Sequence, residues 1–244
     1  MSAFVEGAVD GAALESLANH RALRVTGCWP EPQCEAMTAR VLAARGSLTP
    51  AFNAEQFSLG RAFYTHLESA ATRAYFAHAA ESDATVEAVL PGFQHTLRGL
   101  LGALLGAEVR PRRGWCGPGV HVFDPGSKVA RLGGVVHFDL EGLSAWQRAQ
   151  RVPAVTLVVM LQTASRGGGL RLWPTRYDGR DEAGLTPDER APGAAETLSY
   201  GVGDLVLIES RRLHQIEPFG GDRARVSATL HAAQIDRRTW ESWF

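Results

Sequence analysis

The stretch Gly203-Asp204-Leu205-Val206-Leu207-Ile208 joins a turn dipeptide to a short apolar run. An apolar run of this length that is bounded by turn residues is typical of a buried β-strand. Polar residues 209–212 follow it, and a second short run occupies residues 213–216. The sequence therefore predicts a β-hairpin at this point of the chain.

Similar short runs of apolar and β-branched residues lie between Gly and Pro clusters throughout the second half of the chain. Seven strands are predicted: 120–123, 135–138, 155–161, 170–173, 205–208, 213–216 and 225–230. Many short strands that are separated by turn signals are typical of a sandwich or a barrel. The polar residues Pro174 to Pro192 predict a long loop between two strands, of the kind that often forms a lid.

The first hundred or so residues have helical periodicity instead. Helices are predicted at 33–45, 63–80 and 86–105, the last interrupted by Pro91-Gly92, with one short strand at 25–29. Helices that come first and strands that come afterwards disfavour alternating βαβ units. We therefore expect a mainly β fold that a helical layer covers on one side.

Composition excludes several classes of function. The 244 residues carry 25 Lys and Arg against 26 Asp and Glu, so a broad basic surface for nucleic acid or membrane lipid is not expected. The N-terminus lacks a basic segment followed by an apolar run, and the longest apolar stretches are too short to span a bilayer. Three cysteines without a C-x-x-C spacing suggest neither a disulfide framework nor a cysteine zinc site, and they favour the cytoplasm.

Candidate metal ligands lie in Val135-Val136-His137-Phe138-Asp139. On an extended chain, His137 and Asp139 point to the same face because side chains alternate with a period of two. An imidazole and a carboxylate are two of the three ligands of the 2-His-1-carboxylate triad that binds non-heme Fe(II). His214 is the best third candidate, since it begins the second strand of the predicted hairpin.

A candidate anion receptor follows eleven residues later, in Arg225-Val226-Ser227. The same alternation puts the Arg225 guanidinium and the Ser227 hydroxyl on one face. Arginine binds a carboxylate with two parallel hydrogen bonds, and serine adds a further donor. Arg223 is an alternative by position, but only Arg225 has a serine two residues later.

Taken together, these motifs resemble those of the Fe(II)/2-oxoglutarate-dependent dioxygenase superfamily, with its prolyl-hydroxylase-like and small-molecule hydroxylase members. His137, Asp139 and His214 match the H-x-D…H pattern, and Arg225 with Ser227 matches the R-x-S element. Residues 168–172 and 203–214 resemble framework strands of the family, so the likeness covers roughly residues 118–232.

The resemblance implies a double-stranded β-helix, the jelly-roll or cupin-like core. We expect one domain over residues 1–244, with helical support in 1–110, the core in 111–236 and a C-terminal tail in 237–244. By the same resemblance, the triad would hold Fe(II), and Arg225 with Ser227 would fix the far carboxylate of 2-oxoglutarate. O2 would be the second co-substrate, and hydroxylation of a C–H bond would release succinate and CO2.

Two residues narrow the resemblance. One departs from a pattern of the prolyl-hydroxylase-like members, and the other disfavours one reaction of the superfamily. Phe123 stands where several prolyl-hydroxylase-like members have a tyrosine that helps to hold the co-substrate, and phenylalanine donates no hydrogen bond. Arg225 and Ser227 must then contribute more of the anchoring. Asp139 occupies the position where related halogenases have a small residue, so halogenation is disfavoured.

A compact chain without a basic surface favours a small-molecule substrate such as an amino acid or a natural-product intermediate. Gln162 and Trp173, each at the end of a predicted strand, are candidates to contact it. A peptide or protein hydroxylase of the same class is one alternative. A non-catalytic jelly-roll module that binds a metal or ligand is another, and a cupin-type metal enzyme without 2-oxoglutarate is a third.

Overall fold

The computed structural model describes residues 4–179 and 194–244. In its first half, short strands alternate with helices. They are β1 (Phe4–Glu6), α1 (Ala13–Asn19), β2 (Ala22–Val25), α2 (Glu31–Ala43), a 3-10 turn (Arg45–Ser47), β3 (Thr49–Ala51), β4 (Gln56–Leu59), α3 (Phe63–Glu68), α4 (Thr72–Ala77), α5 (Ala79–Val89) and α6 (Phe93–Leu105).

The second half is mainly β. It contains β5 (Glu108–Pro111), β6 (Gly119–Phe123), α7 (Lys128–Leu132), α8 (Ala145–Ala149), β7 (Ala154–Gln162), β8 (Arg166–Gly167), β9 (Leu170–Arg176), β10 (Glu196–Leu198), β11 (Leu205–Glu209), β12 (Arg212–Ile216), β13 (Phe219–Gly220), β14 (Arg225–Asp236) and β15 (Thr239–Trp243).

Two sheets form the jelly-roll core. The large sheet has the order β1-β2-β11-β7-β14-β6-β4-β3, and β15 joins it through β14 and pairs with β5. The small sheet has the order β10-β9-β12, and β8 pairs with β13. Side chains of both sheets line one cavity, so the sheets face each other across it.

The outer face of the large sheet is covered by helices. Val120 and Val122 of β6 belong to the main hydrophobic cluster together with Leu97 and Leu101 of α6. The alternate residues His121 and Phe123 line the cavity instead. The period of two therefore divides each strand between a core face and a site face. Burial of the apolar helical stripe stabilises the layer that supports the site.

The predicted mainly β fold with flanking helices is confirmed, but the first half of the chain also contributes strands. β1 to β4 join the large sheet, although only one short strand was expected there, at 25–29 instead of 22–25. The helix predicted at 63–80 is interrupted after Glu68, where Ala70 adopts the left-handed conformation with φ of 55°. Two shorter helices, α3 and α4, replace it.

The structure corrects three further predictions. Residues 135–138 form no strand, and only His137 makes a single β-bridge, to His214. Residues 239–243 of the predicted tail are β15 in the large sheet. Of the loop predicted at 174–192, residues 174–176 belong to β9, and residues 180–192 lie outside the described residues. Within the described ranges, no helix is both long enough and apolar enough to cross a bilayer.

Candidate active site

His137, Asp139 and His214 come together on one side of the cavity. One potential ligand atom from each lies within 4.8 Å of the other two. Asp139 Oδ1 is 3.4 Å from His137 Nε2, and its Oδ2 is 3.4 Å from His214 Nε2. His214 lies on β12, while the segment of His137 and Asp139 is held by reciprocal backbone hydrogen bonds of 3.0 Å between His137 and His214.

Hydrogen bonds fix the protonation of both imidazoles. His137 Nδ1 is 2.7 Å from the carbonyl oxygen of Val135, and His214 Nδ1 is 2.8 Å from that of Arg212. A carbonyl only accepts, so each Nδ1 carries the hydrogen and donates it. Each Nε2 is then the atom available to bind a metal ion, as in metal sites where a partner orients the histidine.

The charges in this group are strongly coupled. Burial disfavours the imidazolium and lowers the pKa of His214 to about 4. At His137 burial acts in the same direction, but the hydrogen bond and charge of Asp139 outweigh it and raise the pKa to about 9. Burial opposes ionisation of Asp139, yet the two histidines hold the pKa of its carboxyl well below the usual value. A metal ion that binds here would displace the proton on His137.

A buried network orients Asp139. Thr156 Oγ1 donates to Asp139 Oδ2 at 2.6 Å, because an ionised carboxylate only accepts. His231 Nδ1 lies 3.0 Å from the same hydroxyl and therefore donates to it. The Asp139 backbone N–H donates to Ser210 O at 2.9 Å. The carboxylate is thus held from β7 and β14 as well as by its own segment.

Arg225 forms a second polar group at the cavity. Its Nε donates to Gly168 O, its Nη1 to Ser227 Oγ and its Nη2 to Tyr200 Oη, at 3.0, 3.0 and 2.6 Å. Only 2% of Arg225 is exposed, and no carboxylate of residues 4–179 or 194–244 pairs with it. A buried guanidinium without a counter-charge is costly.

The surroundings of Arg225 suit an anion. Because Ser227 Oγ and Tyr200 Oη each accept from the guanidinium, their own hydrogens remain free to be donated. Phe123 lies with its ring centroid 5.8 Å from Arg225 Cζ and offers no hydroxyl, so Tyr200 supplies one from another part of the chain. These donors could hold a carboxylate group of a bound co-substrate.

A third polar cluster lies on β4 and β6. Gln56 Nε2 donates to His121 Nδ1 at 3.0 Å and also contacts Tyr64 Oη, and Ser58 Oγ lies 3.0 Å from the same Nδ1. Burial lowers the pKa of His121 to about 3. The imidazole is therefore neutral, with its hydrogen on Nε2.

The cavity that joins these groups has a volume of about 680 Å³. The metal-ligand candidates, Arg225 and Ser227 line it together with Tyr200, Thr156 and His231. Aromatic side chains and a few charged groups complete the lining. They are Phe52, Phe63, Tyr64, Phe123, Trp243, Phe244, Glu55, Glu68, Glu141 and Lys128.

Both of the predicted substrate residues lie elsewhere. Gln162 donates to the carbonyl of Ala224 at 2.9 Å, and Trp173 packs with Phe138 and Leu213. Neither lines the cavity. Arg223, the alternative to Arg225, is exposed and approaches Thr163 Oγ1 at 3.5 Å. Sequence spacing missed Thr156 of β7 and Tyr200, which lies just after β10, because neither belongs to a motif.

Three solved structures share this architecture at low sequence identity. An N-substituted L-amino acid dioxygenase from Burkholderia ambifaria AMMD has 16% identity and a TM-score of 0.61, with 96% of this chain and 91% of that chain covered. The non-heme alpha-ketoglutarate-dependent carbocyclase SnoK from nogalamycin biosynthesis has 18% identity and a TM-score of 0.58, with coverage of 92% and 83%.

The epimerase SnoN from the same biosynthesis, also alpha-ketoglutarate-dependent, has 19% identity and a TM-score of 0.50, with coverage of 92% and 84%. No family model matches the sequence, and no curated protein matches it either. Alpha-ketoglutarate is the same molecule as 2-oxoglutarate. The chain therefore has the jelly-roll fold of the non-heme, 2-oxoglutarate-dependent oxygenases, the superfamily that its motifs resemble.

Proposed function

We propose that the protein is an Fe(II)- and 2-oxoglutarate-dependent dioxygenase that hydroxylates an unactivated C–H bond of a small molecule. One observation carries this proposal. The His137, Asp139 and His214 group and the buried guanidinium of Arg225 line the same cavity. A metal ion and a dicarboxylate could therefore be bound side by side.

The donor set fits Fe(II). Two imidazole nitrogens and one carboxylate are the ligands of non-heme iron sites that keep coordination positions open for substrates. Hydrogen bonds already point Nε2 of His137 and of His214 away from their carbonyl partners. Thr156 holds the carboxylate of Asp139. The protein thus orients the three ligands before the metal ion binds.

Arg225 fits the far carboxylate of 2-oxoglutarate. Its charge compensates that carboxylate, and the free hydroxyl hydrogens of Ser227 and Tyr200 complete the binding site. This role also distinguishes the proposal from a cupin-type metal enzyme without 2-oxoglutarate. In such an enzyme the buried Arg225, which has no carboxylate partner among the described residues, would have no anion to bind.

When bound, iron and 2-oxoglutarate supply the oxidising power for C–H cleavage by O2, with succinate and CO2 as co-products. The chain's own contribution is binding and orientation. Arg225 anchors the co-substrate, the apolar cavity wall excludes water, and the aromatic side chains position one substrate C–H bond.

Cavity size and the similar structures support a small substrate. A volume of about 680 Å³ lies within the usual range for small-molecule sites. The similar proteins include an amino acid dioxygenase and enzymes of natural-product biosynthesis. An amino acid or a natural-product intermediate is therefore the favoured substrate. We also infer a cytoplasmic location, which the three unpaired cysteines support.

Succinate formation tests the proposal. Purified protein with Fe(II), 2-oxoglutarate and O2 is expected to form succinate when a substrate library is added, as measured by mass spectrometry. Asp139→Ala is expected to abolish this product without unfolding the protein, because it removes the charged ligand. Arg223→Ala, at an exposed site, is the matched control. Wild-type succinate yield from Asp139→Ala would refute the assignment.

Two alternatives are separate outcomes of the same experiment. Succinate formed with peptides but with no small molecule would indicate a peptide or protein hydroxylase. Metal binding without any oxygen-dependent turnover would indicate a non-catalytic binding module.

A further inference from the structure

Four charged side chains of the cavity lining have no role in holding metal or co-substrate. They are Glu55, Glu68, Glu141 and Lys128. At the exposed rim, Glu55 accepts a hydrogen bond from the backbone N–H of Lys128. Three acids against one base leave this part of the cavity negatively charged.

Glu141 is half-buried, and its position is fixed by a tight turn. Leu143 N–H donates to Leu140 O at 3.1 Å, which closes the turn around Glu141 and Gly142. Gly142 has a φ of 83°, and a side chain there would collide with the indole nitrogen of Trp243. Arg112 donates to the Gly142 carbonyl. The turn therefore holds Glu141 at the cavity, two residues after Asp139.

The carboxylate of Glu141 is half-buried and forms no ion pair within the described residues. Across residues 4–179 and 194–244, no Arg, Lys or His side chain forms an ion pair or hydrogen bond with it. The buried carboxylate of Asp204, by contrast, accepts from the N–H groups of Gly27 and Gly201. A partly buried carboxylate without such partners is costly unless a bound cation compensates it.

Aromatic side chains line the same cavity. Phe63 and Tyr64 belong to α3, and Phe52 stacks on Tyr64 with ring centroids 6.3 Å apart. Aromatic surfaces pack against an apolar body, and their faces also attract cations. We propose that the substrate is an amine whose ammonium group binds Glu141 while its apolar body packs against Phe63 and Tyr64. The proposal rests on the proposed function, since it names the substrate class of that site.

Calorimetric titration at neutral pH tests it without turnover. The protein is loaded with 2-oxoglutarate and Zn(II), which does not support oxidation. The probes are 2-phenylethylammonium, its neutral isostere 2-phenylethanol and the anion 3-phenylpropanoate. We expect the ammonium probe to bind at least about tenfold more tightly than the alcohol, as for a charge-assisted contact, and the anion to bind most weakly.

Variants assign the preference to Glu141. Glu141→Gln keeps the side-chain shape and is expected to reduce the tenfold preference to near unity, and Glu141→Ala is a second variant with the same expected result. Glu35→Gln, on the exposed surface of α2, is the matched control and should retain the preference. Repetition with metal-free protein excludes coordination of the amine by Zn(II) as its cause.

Three results would overturn the inference: equal affinities for ammonium and alcohol, a preference that persists in both Glu141 variants, or no binding of the ammonium probe. The two proposals fail separately. A protein that forms succinate but shows no ammonium preference refutes this inference alone. A Glu141-dependent preference in a protein that never consumes 2-oxoglutarate refutes the proposed function alone.

Discussion

At the scale of single residues, the site is a set of side chains whose hydrogen-bond partners leave one atom free for a ligand. His137 and His214 donate from Nδ1 and turn Nε2 toward the carboxylate of Asp139, where a metal ion would bind. Ser227 and Tyr200 accept from Arg225 and keep a hydroxyl hydrogen free. The protein fixes these orientations in advance, and this preorganisation lowers the cost of binding.

Arg225→Ala is expected to weaken 2-oxoglutarate binding by about a hundredfold, because a buried charge-assisted contact is lost. Maximal turnover at saturating co-substrate should fall much less, since Arg225 anchors and does not take part in oxidation. The dependence of succinate formation on 2-oxoglutarate concentration measures both effects. A co-substrate dependence like that of wild type, together with a raised requirement in Arg223→Ala, would assign the anchor to Arg223.

Thr156→Val removes the hydroxyl that donates to Asp139 while keeping the volume of the side chain. We expect metal affinity to fall by about tenfold or more, as for other groups that orient metal ligands. Competition with a chelator measures this affinity directly. Thr163→Val is the control, because Thr163 directly follows β7 and lies outside the cavity. Unchanged metal affinity in Thr156→Val would show that the hydroxyl does not position the carboxylate.

His121 is expected to make stability depend on pH. Its folded-state pKa is about 3, whereas an unfolded histidine has a pKa of about 6.5. Between these values the unfolded chain binds a proton that the folded protein does not, so the free energy of unfolding falls as pH falls. His121→Gln should reduce this slope by about 1.4 kcal/mol per pH unit. Denaturant unfolding at several pH values measures both slopes, and equal slopes would contradict the buried, neutral state.

The sequence predicted the residues whose spacing is local. His137 and Asp139 are two residues apart, as are Arg225 and Ser227, so alternation along an extended chain was sufficient to pair them. Tyr200 lies 25 positions from Arg225, and no periodicity links the two. Gln162 and Trp173 were chosen for their places at strand ends, and hydrogen bonding and packing turn them elsewhere.

At the scale of elements, long strands and the stronger helices could be predicted, and short strands could not. β7, β11 and β14 have apolar runs that only a buried strand explains. β1 has three residues and pairs with β2, which has four residues and pairs in turn with β11, about 180 positions away. Such pairing leaves little local signal, so only one short strand, at 25–29, was predicted in the first half of the chain.

The segment 237–244 could not be predicted for the same reason. It was expected to be a tail, but it contains β15, and Trp243 and Phe244 line the cavity. Phe244 is 1% exposed and packs against the His121 ring in a tilted arrangement, with centroids 4.7 Å apart. Its carbonyl accepts from Phe63 N–H at 2.8 Å. Phe244→Ala is expected to cost about 3 kcal/mol of unfolding free energy, as for other buried phenylalanines.

Chemical denaturation measures this loss. Phe76→Ala is the control, since that ring is 45% exposed and should cost much less. Equal losses in the two variants would show that residue 244 does not belong to the core.

At the scale of the whole molecule, the jelly roll brings distant segments to one cavity between two sheets. The order of motifs along the chain was enough to predict this fold, and the chemistry that the motifs imply stays a proposal. The aromatic and acidic parts of the lining come from Phe52 to Phe244 and depend on tertiary packing, so their arrangement could not be predicted. That one domain spans residues 1–244 stays a prediction.

The central claim is that one cavity binds Fe(II) and 2-oxoglutarate together. Anaerobic addition of both to the protein tests it most directly, because a keto acid that chelates ferrous iron through two oxygens gives a weak visible charge-transfer band. We predict this band in wild type and its loss in His137→Ala, which removes one ligand. Metal binding by wild type without the band, or a band that persists in His137→Ala, would contradict the account.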